Sequence, residues 1–200
     1  MDTHIPEGNK KEQLALIGEF VVSFELICSM IRQNIIYLNN GSSSKDEKKR
    51  SIDILLEDLT AYPLNKKVLA LFHHHFEGNE ELQKLAKQVK NKFEKMIEVR
   101  NTIIHGTILT CTKSLFFEKS YDELMLIKPK ISSSSYSQNA MKVENKTLQE
   151  LIRKNKDLYW CFYNLYVILT HADQYEIINQ FSKKIIAKLD FIGSVTSNLE

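Results

Sequence analysis

Apolar residues recur at helical spacing along most of the chain, and the few places where the pattern breaks set the elements. Residues 11–39 carry dense apolar recurrence without proline and end in NNGSSSKD, where Asn-Gly and serines mark a loop; this predicts a long first helix. A second helix, over roughly 46–61, runs into AYPLN, where Pro63 stops it and opens a third over 64–76. Gly78 is expected at the C-cap of that helix and Asn79 at the N-cap of the next. From Asn79 onward Leu82, Leu85, Val89, Phe93, Met96 and Ile103 fall on one stripe at about 100° per residue, which predicts a fourth helix closing at Gly106.

Beyond Gly106 the pattern changes. In TILTCTKSLFFEKSYDELMLIKPKIS, β-branched and aromatic residues alternate with polar ones on both sides of EKSYDE, which suggests a hairpin of two short strands. SSSSYSQNA then reads as a polar loop, so 107–140 is expected to be a β-like insertion with a Ser-rich loop. Helices over about 145–170 and 174–190 close the chain. No repeat and no charge-rich linker divides it. The expected fold is all-α: one domain over 1–200, a bundle of five to six helices with a small β-hairpin insertion after the fourth.

Composition adds little to this picture but excludes some classes. The chain is 43% hydrophobic and 26% charged, enough for a substantial core. Its 27 basic and 25 acidic residues give a formal charge of +2, so any contact with nucleic acid or anionic membrane must be local. Cys28, Cys111 and Cys161 are far apart in apolar surroundings and read as buried free thiols of a reducing compartment. The first residues lack a secretory h-region, and the apolar stretches FVVSFELICSMI and LYWCFYNLYVIL are too short or carry a charge for a membrane span. The expectation is a cytoplasmic protein without a membrane partner.

Charges inside apolar patterns are the chemically informative positions. Arg100 lies five helical turns after Leu82 and so returns to the apolar stripe. Glu94, Glu98, Asn101 and His105 cluster within about 60° on the adjoining flank, with Arg100 and His105 about 140° apart. In the first helix Glu25 and Arg32 share a face, and a charge there needs a partner: Glu25–Arg32 and Glu25–Arg100 pairs are both open. His105, directly before Gly106, falls in the last turn of its helix, where free carbonyls favour a protonated ring; a simple C-cap side chain is the alternative. FHHHF (His73, His74, His75) cannot hold one ion from a regular helix, because successive residues point about 100° apart; His74 touching an anion is the only site role it suggests. Trp160, Phe162, Tyr163 and Tyr166 read as core or subunit interface rather than base-stacking rings. Basic clusters at Lys66 and Lys67, at Lys84, Lys87, Lys90 and Lys92, and at Arg153, Lys154 and Lys156 read first as solvated faces and second as guides for an RNA backbone. No phosphate-cradling loop, nucleophile elbow or zinc site is present in the sequence.

The string Arg100-Asn101-Thr102-Ile103-Ile104-His105, near the end of a long helix and followed by glycine, resembles the R-N-x-x-x-H form of the Rx4–6H motif of HEPN-domain proteins. The resemblance implies a metal-independent endoribonuclease without cofactor, in which two protomers of a homodimer line a composite RNA cleft. Arg100, His105 and Asn101 would be its catalytic residues. Arg100 suits two hydrogen bonds to the scissile phosphate, His105 suits proton transfer, and Asn101 suits orienting the histidine or a phosphate oxygen. Glu25, Glu98 and Lys92 are candidates for binding or orienting substrate, and no residue is expected to hold a metal. A toxin or phage-defence setting, with an antitoxin or other regulatory partner, follows from the resemblance alone. The alternative is a non-catalytic HEPN-fold module that dimerises or binds RNA or protein.

Overall fold

In the computed structural model, residues 7–40, 46–116, 125–131, 136–171 and 173–192 are described. The elements are α1 (Glu7–Asn40), α2 (Asp46–Glu57), α3 (Ala61–His75), α4 (Glu80–Phe116), β1 (Met125–Ile131), β2 (Tyr136–Lys142), α5 (Asn145–Thr170) and α6 (Tyr175–Ile192). The architecture is all-α, with six helices among the described residues.

Local chemistry sets the boundaries. Pro63 sits inside the first turn of α3, where its missing N–H leaves no helical bond unmade, so the helix begins at Ala61 rather than after the proline. Gly78 turns the chain with φ 81°, and the Asn79 side-chain oxygen accepts from the Leu82 N–H at 3.1 Å, capping α4. Gln83 Nε2 reaches back to the carbonyls of His73 and Phe76, at 3.3 and 3.1 Å, and closes the end of α3.

Two expectations are corrected here. α4 does not stop at Gly106 but runs through it to Phe116, so 107–116 is helix rather than strand. Gly106 is a buried position within the helix and not a left-handed cap; among the described residues the glycine with positive φ is Gly78. The strands lie later than expected, β1 pairing antiparallel with β2 from Met125↔Lys142 to Ile131↔Tyr136. Tyr136 to Ala140, read as part of a serine loop, are therefore in a strand, while EKSYDE and the serines at 132–135 lie outside the described residues.

Leu82, Leu85, Val89, Phe93, Met96 and Ile103 are all buried, as their stripe requires. Phe93 stacks on Phe24 of α1 at 5.3 Å and meets Phe162 of α5 edge-on at 5.7 Å, tying the three long helices together. Polar side chains fix the seam between α1 and α5. Gln13 donates to the Val143 carbonyl at 2.8 Å, Asn155 to the Phe20 carbonyl at 3.2 Å and Ser23 Oγ at 2.9 Å, and Asn34 to the Phe162 carbonyl at 3.1 Å. Numbers rise together on both sides, so the two helices run parallel, and α2 to β2 supply the long return. By length and composition α1 is apolar enough to cross a membrane, a window of it averaging a hydropathy of 2.0, a test that the core helix of a bundle passes as well.

Candidate functional site

Arg100 emerges where α4 faces α1 and the start of α3. Its guanidinium carbon lies 5.8 Å from the centre of the Phe24 ring, and Nη1 donates to the Asn101 side-chain oxygen at 3.3 Å. Nη2 stands 3.9 Å from Glu25, a contact longer than a hydrogen bond, and the Glu25 side chain is 53% exposed. Nε is buried and has no partner. Arg100 thus lies on the expected stripe of α4, but its head group snorkels to the rim instead of staying under the apolar face.

That rim belongs to an opening of about 340 Å³ walled by Phe24, Glu25 and Cys28 of α1, Thr60 to Tyr62 at the N-terminal end of α3, and Ile97, Arg100 and Asn101 of α4. Arg32 also lines it, but donates to the Leu56 and Leu59 carbonyls, each at 3.4 Å, at the end of α2. It therefore closes a helix end rather than pairing with Glu25. Burial, reinforced by the Glu25 carboxylate and opposed by Arg32 and Arg100, pushes the Cys28 thiol up to about 12, so it remains protonated and is no nucleophile near neutral pH. Cys161 is likewise buried, with its thiol raised to about 12 by desolvation.

The other predicted site residues are not in this opening. His105 is exposed on another side of α4, and with the helix running on to Phe116 it is no longer in a last turn. Both readings that needed a helix end, the tuned ring and the C-cap, are removed by that continuation. Glu98 is exposed, its carbonyl accepting from Thr102 Oγ1 at 3.0 Å. Lys92 is half-buried on the face toward α5 and α6; desolvation, with the nearby Lys95 and Lys154 charges, lowers its pKa against the pull of Asp190. The structure thus gathers Arg100, Asn101 and Glu25, and leaves His105, Glu98 and Lys92 apart.

Sequence reasoning did not find the α3 wall, Thr60 to Tyr62, because nothing in one helix indicates which loop covers its neighbour. In FHHHF it is His75 whose Nε2 meets a carbonyl, that of Leu38 at 3.0 Å, while the His74 ring packs edge-on against His75 at 5.5 Å. Trp160 and Tyr163 project from the surface of α5, 47% and 36% exposed, whereas Phe162 is core. Lys154 departs from the solvated-face reading: it is buried and bonded to Glu150 at 2.8 Å. Among the described residues no group of three His, Cys, Asp or Glu side chains is placed to hold a metal ion. Comparison with known protein families, with curated proteins and with solved structures finds no match to this chain.

Proposed function

We propose that the protein is a HEPN-like, metal-independent endoribonuclease that cleaves RNA at a site shared between two copies of the chain. The observation that carries the reading is the incompletely satisfied Arg100. Its Nε has no partner, its nearest carboxylate is 3.9 Å away and half exposed, and it lies at the mouth of an opening. A phosphate would supply the two parallel acceptors that a guanidinium fork fits, displacing the loose Glu25 contact, while Asn101 holds the fork in place. The reaction uses the 2′-hydroxyl as nucleophile on the adjacent phosphorus and expels the 5′-oxygen. It needs a proton acceptor, a proton donor and a fixed positive charge on the phosphorane-like transition state. Arg100 serves as the charge. His105, exposed and about 140° around α4 from Arg100, serves for proton transfer in the site of the facing protomer.

The test is cleavage of cellular RNA by purified protein in excess chelator. Wild type is expected to cut, and His105→Ala and Arg100→Ala to lose at least about a hundredfold in rate. Equal cutting by the variants, or cutting abolished by the chelator, overturns the proposal. A second reading, a non-catalytic RNA- or protein-binding module, is favoured by the separation of His105 from the Arg100 opening; RNA retained without cleavage would select it.

A further inference from the structure

A second feature lies between α5 and α6 and is independent of any chemistry at Arg100. Arg153, Asp157 and Trp160 lie one turn apart along a single face of α5, and on α6 Ala187 and Lys188 both lie one turn after Lys184. Between them runs an open groove of about 670 Å³. The small Ala187 leaves its floor clear. Trp160, 47% exposed, forms one wall. Tyr159 and Tyr163 meet the indole nearly at right angles, 84° and 87°, at 5.7 and 5.2 Å, so they brace the ring without stacking over it. Three cations face the groove against one carboxylate, and Lys188 is bound to that carboxylate, Asp157. Lys184 is exposed, its ammonium held over the Phe181 ring at 4.2 Å. In a chain whose formal charge is only +2, this is a concentrated positive strip beside a half-exposed indole.

We propose that the α5–α6 groove is a binding site for single-stranded nucleic acid, with a base stacked on Trp160 and a flanking phosphate on Lys184. The chemistry of the two sides selects the ligand. An exposed indole offers a stacking surface to any base, and cations beside it suit a phosphate backbone; an acidic peptide would use the cations but leave the indole without a planar partner. The site is separate from the Arg100 opening, which shares no residue with it.

Trp160 is the chain's one tryptophan, so its fluorescence reports on this groove alone. The full-length protein is titrated with oligodeoxyuridylate, which lacks the 2′-hydroxyl and so cannot be cleaved by the reaction proposed above. The expected result is saturable quenching of Trp160 that weakens steeply with salt and persists in Arg100→Ala. Lys184→Glu, at an exposed position, is expected to weaken binding about tenfold, and Trp160→Leu by about tenfold when binding is followed by anisotropy of a labelled strand. Absence of quenching, unchanged affinity in both variants, or loss of quenching in Arg100→Ala overturns the proposal. So does equal quenching by polyglutamate, which would make the groove an acidic-peptide site, or by anionic lipid vesicles, which would make it a membrane contact.

Discussion

Lys154 shows how far one residue departs from its composition class. Its side chain is 2% exposed on α5, and its ammonium bonds to Glu150 one turn back at 2.8 Å, while the Glu150 side chain remains 41% exposed. The hydrogen bond and charge of Lys154 hold the Glu150 carboxyl below its ordinary value of 4.5. A carboxyl depressed in the folded state binds its proton more tightly in the unfolded one. The stability it contributes is therefore present above about pH 4.5 and lost as pH falls through the folded value. Wild type is accordingly expected to outlast Glu150→Gln in urea at neutral pH, with the gap closing below about pH 4.5; a gap constant with pH would remove the pair from the account. At this scale the candidate site was partly legible. Arg100 and Asn101 come from one helix and follow from its period, and Glu25 was marked by the rule that a charge in an apolar run needs a partner. The exposure of Trp160 was not legible, because only the placement of α6 leaves that face of α5 open.

Elements were read best where period and punctuation agreed. α5 and α6 match their expected spans to within a few residues, and Asn79 caps α4 through the predicted side-chain oxygen. Asn79→Ala is expected to lower unfolding free energy by about 1 kcal/mol without changing the denaturant slope, whereas Asn79→Asp, which keeps an acceptor, is expected to be near neutral. The end of α4 was misread because a glycine after a histidine imitates a C-cap. Ile104, Ile108, Cys111 and Leu115 nevertheless keep the 4, 3, 4 spacing of a helix across that glycine, and the β-branched residues between them suggested strand instead. The strand pair was misplaced for a related reason. β1 alternates in the expected way, but β2, YSQNAMK, is too polar to show a period of two, so its place is set by pairing with β1 rather than by its own pattern.

The whole molecule decides whether the motif residues can act together. Arg100 opens between α1, α3 and α4, and His105 faces away from that opening, so one protomer presents half of the proposed chemistry on each side of α4. Beside Glu25, Val22 and Leu26 are 61% and 54% exposed, which leaves apolar surface next to the Arg100 rim for a second copy to cover. If the partner supplies His105 to each Arg100, damage to the two residues can be separated between chains. Arg100→Ala and His105→Ala proteins, each inactive alone, are unfolded together and refolded at equal concentration. Half of the resulting dimers then carry one of each, and in each of these one site keeps both an arginine and a histidine while the other lacks both. RNA cleavage should return to about a quarter of the wild-type rate. Cleavage that stays at the background of the single variants, with mixed dimers verified by tags on the two chains, would mean that both residues act within one protomer. The separation of His105 from the Arg100 opening would then require a rearrangement of α4, and the composite site would have to be abandoned.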